Sequence, residues 1–277
     1  MKTILVPIDF SATSHNSAHY AAGMANWLHA EKLVLFNAYS IPMATELSWA
    51  ALQAEELKQM SEDGLKRFKA EILPLCDASL VVECRSEFGF LTESIETVAT
   101  EMGADLIVMG ITGGGKLEEA LIGSNTLHMV HHTHLPVIIV PPEAEWKPVT
   151  TIGWACDYQD IMKTTPVEVI KKLIALFGAK LVVVHNNPDP RAFDAEALAG
   201  NMQVYSLFLD LEPSFVAVSN HHFSEAMNDF TEKNHVDLLL AVPKKLSCIV
   251  SLFHRSNTKM LAFHSHVPLI CVQGLKG

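Results

Sequence analysis

Gly110-Ile111-Thr112-Gly113-Gly114-Gly115-Lys116-Leu117-Glu118-Glu119-Ala120-Leu121-Ile122-Gly123-Ser124 is the stretch on which the reading of this chain turns. It directly follows Asp105–Met109, an apolar run of the kind that forms a buried parallel strand. Glycines at the carboxyl end of such a strand let backbone come close to a ligand, because they carry no Cβ and tolerate positive φ. Gly123-Ser124-Asn125-Thr126 then opens a second apolar segment that reads as a helix. The free N–H groups and positive dipole end of a helix start suit a phosphate. The stretch therefore reads as a two-part phosphate cradle, a glycine loop followed by a helix N-terminus.

Two other readings compete. Gly110 to Lys116 fits the P-loop pattern G-x-x-x-x-G-K, but Leu117 stands where that loop needs a Ser or Thr hydroxyl for Mg²⁺. Three strand-like runs also precede it, whereas a P-loop normally follows the first strand of its domain. The remaining alternative is a glycine-rich surface turn with no ligand. The second element at Gly123-Ser124 weighs against a bare turn.

The spacing G-x2-G-x9-G-S, set by Gly110, Gly113, Gly123 and Ser124, resembles the nucleotide-binding signature of the universal stress protein family. Ile4-Leu5-Val6-Pro7-Ile8-Asp9-Phe10-Ser11 resembles the opening strand and Asp-containing turn of that family, and Leu135-Pro136-Val137-Ile138-Ile139-Val140 resembles its closing strand. The resemblance implies a stress-response protein that binds ATP or another adenine nucleotide, with or without Mg²⁺, as a ligand-dependent sensor or regulator. It places Asp9 and the backbone around Ala38 at the adenine and ribose end, and counts Pro7 and Met109 among the nucleotide-binding residues. It gives ribose and phosphates to Gly110, Gly113, Gly123, Ser124 and Asn125. Asp9 has a structural alternative, since an aspartate here also caps its own turn.

The chain has 277 residues and is 49% hydrophobic, enough for two ordinary domains with substantial cores. No stretch approaches the ~20 continuous apolar residues of a membrane span. Met1-Lys2-Thr3-Ile4 runs straight into a strand pattern that Pro7 and Asp9 interrupt too early for a signal peptide. The expectation is a cytoplasmic protein with no membrane partner. A net charge of −11 argues against a nucleic-acid partner, which needs a basic face. A few backbone N–H groups still make a local anion site in an acidic protein. Cys76, Cys84, Cys156, Cys248 and Cys271 show no CxxC pair and read as buried free thiols.

The two halves repeat one plan. Lys2–Phe10 aligns with Thr150–Tyr158, and Lys32–Asn37 with Lys180–His185 at the same offset. Asp105–Val108 matches Asp237–Leu240, Ser124-Asn125-Thr126 matches Ser256-Asn257-Thr258, and Leu135-Pro136-Val137 matches Val267-Pro268-Leu269. Short β-branched runs alternate with helical stretches, which indicates an α/β fold. We expect two tandem Rossmann-like domains, residues 1–142 and 149–277, each a parallel-sheet α/β sandwich of the universal stress protein type. Pro141–Pro148 has the proline content of a linker. The resemblance implies that the domains form an internal pseudo-dimer through their closing strands, and it leaves room for a homodimer. Strands are expected at Thr3–Ile8, Leu33–Asn37, Leu80–Glu83, Asp105–Met109 and Val137–Val140. Ser11 or Thr13 should cap the first helix, a long helix should run from about Thr45 into Lys69, and a third should begin at a cap near Thr92. In such a sheet a ligand sits beyond the carboxyl strand ends, so Asp9, Ala38 and Gly110 should share one crevice.

The second half departs at every signature glycine, with Val242, Lys245 and Arg255 in the places of Gly110, Gly113 and Gly123. Side chains there should block the close approach to phosphate. Ser256 remains as a plain helix cap, and Lys244, Lys245 and Arg255 read either as a solvated rim or as a side-chain anion grip. His128 and His132, four apart, suggest a metal pair, but no HExxH or Cys/His set accompanies them. No nucleophile elbow and no paired carboxylates in a recognisable setting appear, so no catalytic residue is assigned. A nucleotide-independent scaffold and a weak ATPase or nucleotidyl-transfer enzyme remain as rival functions.

Overall fold

The computed structural model describes residues 1–41, 47–111, 123–186, 195–218, 223–243 and 266–275. The first half runs β1 (Thr3–Pro7), α1 (Ala12–Trp27), β2 (Lys32–Tyr39), α2 (Leu47–Ile72), β3 (Val81–Phe88), α3 (Leu91–Met102), β4 (Leu106–Gly110), α4 (Ser124–His132) and β5 (Val137–Val140). The second runs β6 (Thr151–Ala155), α5 (Ile161–Thr164), α6 (Val167–Phe177), β7 (Lys180–Asn186), α7 (Ala195–Leu207), β8 (Ser214–Val218), α8 (Phe223–Lys233), β9 (Leu238–Ala241) and β10 (Leu269–Cys271). The chain divides into two compact units, and the main boundary falls between Trp146 and Lys147.

Within the first half the strands lie in the order β3-β2-β1-β4-β5, all parallel. Within the second the order is β8-β7-β6-β9-β10, again all parallel. These are the same topology: the chain builds outward from its first strand on one side, then returns to build on the other. The switch point therefore lies between β1 and β4, and between β6 and β9. Every residue of β1 is buried, as are Leu106–Met109 and all of β5, because helices cover both faces of a parallel sheet.

Small residues predominate where the first helix is buried. Ser17, Ala18, Ala21, Ala22 and Ala25 make up most of the buried positions along α1, beside Thr13, Ser14, Tyr20 and Met24. Ser11, not Thr13, is its N-cap, and its hydroxyl accepts from the Ser14 N–H at 3.3 Å. Helix α3 differs from expectation. Its N-cap is Phe90, with no side-chain cap, and Ser94 Oγ instead donates to the Phe90 carbonyl at 3.1 Å. Strand β3 extends five residues beyond the expected Glu83 end. Its pairing with β2 continues to Tyr39↔Phe88, while Arg85 holds Glu87 and Glu101 at 2.5 and 2.8 Å. The run Glu83-Cys84-Arg85-Ser86-Glu87 has few β-branched or aromatic residues and two glutamates, which strands disfavour, so it did not read as strand.

The proline-rich stretch after β5 is docked rather than loose. Asn16 Nδ2 donates to the carbonyls of Pro141 and Ala144 at 2.9 and 3.1 Å. The Trp146 ring lies against Gly23, where no Cβ would fit, and meets Tyr20 edge-on at 5.1 Å. The thiols are also less uniform than expected. Cys271 is buried and its thiol is pushed far up by desolvation, but Cys76 and Cys156 are half-buried and Cys84 is exposed. No described helix is long and apolar enough to cross a membrane.

Candidate functional site

The carboxyl ends of β2, β1 and β4 lie side by side, with Pro7, Asp9, Ala38, Met109 and Gly110 at or next to them. Pro7 ends β1 in register with Phe36 of β2, two residues before Ala38. The β1–β4 register, Ile4↔Leu106 and Leu5↔Ile107, places Pro7 level with Met109 when continued by two residues. Gly110 ends β4 opposite Val140. Gly123 is brought back to the same strand end by its N–H, which donates to the Ile111 carbonyl at 2.8 Å. The Thr126 hydroxyl reinforces this, donating to the Gly110 and Ile111 carbonyls at 3.1 and 3.3 Å. Helix α4 thus starts at the switch point, with Ser124 and Asn125 exposed in its first turn. First-turn N–H groups have no intrahelical acceptor and carry the positive end of the dipole. Gly113, Glu118 and Glu119 lie outside the described residues, as do Lys244, Lys245, Arg255 and Ser256.

Gly110 has a role in packing. A Cβ there would stand 2.9 Å from the Thr13 carbonyl oxygen, so the residue lets β4 meet the first turn of α1. Asp9 is exposed and built into its own turn. Its Oδ1 accepts from the Ser11 N–H at 3.0 Å and from the Ser11 hydroxyl at 2.5 Å. Phe10 follows at φ 64°, a left-handed conformation that an L-residue rarely adopts. This strained residue went unread in the sequence. The signal was present in the repeat, because Tyr158 aligns with it and is likewise left-handed, at φ 56°.

Beside Asp9 opens a groove of about 1000 Å³ between the end of β2 and helix α2. Asp9, Phe10, Asn37, Ala38 and Tyr39 line its sheet side, and Glu56, Ser61, Asp63, Arg67 and Glu71 its helix side. A buried relay fixes its floor. Asn37 Nδ2 donates to the Ile8 carbonyl at 2.6 Å, Ser61 donates to Asn37 Oδ1 at 2.6 Å, and Ser86 Oγ meets Ser61 Oγ at 2.6 Å. The amide orientation determines the direction: with Nδ2 on a carbonyl, Oδ1 can only accept, so Ser61 must give its proton to Asn37. His15 reaches Glu71 at 3.6 Å and meets the Phe68 ring edge-on. Gln59 and Lys66 hold the Asp63 carboxyl below its ordinary range. Carboxylates outnumber cations along this groove, which disfavours a phosphate there and favours a neutral group. His128 and His132 do share helix α4, but no three metal-ligating side chains come together among the described residues.

The model of the universal stress protein family matches residues 1–141. The chain belongs to the universal stress protein family. A universal stress protein of Methanocaldococcus jannaschii is 31% identical over 144 residues, covering 50% of this chain and 81% of that protein. Universal stress protein G of Escherichia coli O157:H7 is 26% identical over 145 residues, covering 50% of this chain and 98% of its own length. The crystal structure of a universal stress protein from Archaeoglobus fulgidus superposes with a TM-score of 0.66 at 16% identity, covering 98% of this chain and 96% of that one. The family fold therefore extends through both halves, although the family model matches only the first.

Proposed function

We propose that the first half of this universal stress protein, residues 1–142, binds an adenine nucleotide as a ligand-dependent sensor, and that residues 149–277 are a degenerate copy. The observation that carries this reading is that two unlike surfaces lie at neighbouring strand ends, the start of α4 beyond β4 and a groove beyond β1 and β2. On one side lies the helix start at Gly123, with Ser124 and Asn125 exposed, suited to phosphate. On the other lies a groove beside Asp9 and Ala38 whose carboxylates disfavour phosphate but accept a base and ribose. A nucleotide spanning the two has its charged end at the helix and its neutral end in the groove. The ligand would bind the first half with Mg²⁺ or without it. Its differential affinity for one state of the protein would be the signal that a partner reads.

Calorimetric titration of the full chain with ATP, ADP and AMP tests this reading, with one equivalent expected per chain. Absence of binding at millimolar ATP would favour the scaffold function. ATP turnover that disappears in Gly123→Val would favour the ATPase.

A further inference from the structure

The turn after β6 repeats the turn after β1 with a different outcome. Asp157 Oδ1 accepts from the Gln159 N–H at 3.1 Å, as Asp9 accepts from Ser11. The next residue is again aromatic and left-handed. In the first half Phe10 packs over Gly64 of α2 and remains 40% exposed at the edge of the groove. In the second half Tyr158 packs over Gly200 of α7 and is 7% exposed. Three features hold its ring. One face stacks on His185, centroids 4.3 Å apart and planes 22° apart. The phenol hydroxyl donates to Asn201 Oδ1. Gly200 leaves room that no side chain would, since a Cβ there would run into the ring.

A flat ring stacked on an imidazole, with its edge hydrogen-bonded to a carboxamide, is held as a heteroaromatic ligand would be held. His185 takes the place of Asn37 and keeps its backbone contact. His185 Nδ1 lies 3.2 Å from the Cys156 carbonyl, where Asn37 Nδ2 meets that of Ile8. We propose that the second half keeps a latent site for a planar heteroaromatic group, and that Tyr158 is its built-in occupant. The first-half groove and the second-half stack are then open and self-filled versions of one pocket. Occupation needs the ring to leave, and its left-handed backbone favours that, because strain is relieved when the turn relaxes.

This inference rests on the ligand-groove reading of the first half, and adenosine separates the two. The full-length protein and its Tyr158→Gly variant are titrated with adenosine and, separately, with phenol. Glycine suits the left-handed position and removes the ring. The expected result is one adenosine for wild type and two for Tyr158→Gly. A wild type that binds none while the variant binds one overturns the first-half reading and supports the latent site. A folded variant that gains no adenosine overturns the latent site. Phenol binding with no gain of adenosine also overturns it, because Tyr158 is then a core filler whose loss leaves a ring-sized hole. Should Tyr158→Gly fail to fold, Asn201→Ala keeps the ring and removes only its edge contact. It should take a second adenosine more weakly, and a folded Asn201→Ala that takes none overturns the proposal.

Discussion

The turns after β1 and β6 begin with the same chemistry, an aspartate capping its own turn and a left-handed aromatic residue, yet one borders an open groove and the other a filled one. The difference lies in what faces the aromatic ring. Asn37 is drawn down into a hydrogen-bonded relay with Ser61 and leaves space above it, whereas His185 offers a flat face that Tyr158 covers. The lesson is that a duplicated fold keeps its backbone devices longer than its pocket. The strand-start clamp makes the same point. Asp105 Oδ2 accepts from the Lys2 and Thr3 N–H groups at 2.6 and 3.1 Å. Asp237 Oδ2 accepts from the Thr150 and Thr151 N–H groups at 2.9 and 3.2 Å.

The largest expected effect tests the helix start. Gly123→Val should weaken ATP binding by about 2–4 kcal/mol, roughly 30- to 1000-fold, by placing a branched side chain where phosphate approaches. Calorimetry on a variant with unchanged circular dichroism checks this. Unaltered affinity would remove Gly123 from the site.

The two helix glycines come next, because they separate the open pocket from the filled one. Gly200→Ala should destabilise the protein by about 1–3 kcal/mol, since Tyr158 is held by His185 and Asn201 and has nowhere to go. Gly64→Ala should be close to neutral or stabilising by less than about 1 kcal/mol, because the exposed Phe10 ring can yield while alanine favours the helix. Urea denaturation of both variants measures the contrast, and equal costs would show that the two rings are equally confined.

Asp237→Ala should cost about 1–3 kcal/mol near neutral pH through the loss of its hydrogen bonds. The pH dependence has a definite sign. Burial pushes the Asp237 carboxyl up, but the Thr150 backbone and hydroxyl, the Thr151 N–H and Lys147 outweigh it and hold the carboxyl below its ordinary value. Its contribution is therefore complete above the unfolded-state value of about 3.9 and is lost as pH falls through the lower folded value. The stability gap between wild type and variant should narrow in that acid range, and a gap constant from neutral pH to about pH 2 would contradict the assignment.

The smallest expected effect concerns the replaced glycine at position 255. Arg255→Ala should leave the ATP stoichiometry at one, because a side-chain anion grip is screened by salt and adds no backbone cradle. A loss of one equivalent from two would show that the second half binds phosphate by its own means.

The sequence by itself determined the repeat, the alternation of strands and helices, and the place of Asp9, Ala38 and Gly110 at the carboxyl ends of neighbouring strands. Buried parallel strands read as unbroken apolar runs, and a doubly wound sheet leaves only one crevice at their ends. It also indicated the helix start at Gly123, because glycine and serine before an apolar segment carry capping chemistry in their residue types. Tertiary structure alone decided the rest. That Gly110 yields to the Thr13 carbonyl, that Trp146 rests on Gly23, and that Ser61 reaches Asn37 from another element are contacts between residues distant along the chain. Above all, Phe10 and Tyr158 occupy the same place in the pattern with the same backbone twist. Their partners differ, Asn37 in a hydrogen-bonded relay on one side, and His185 and Asn201 holding the ring on the other, because packing is settled by what the fold brings face to face.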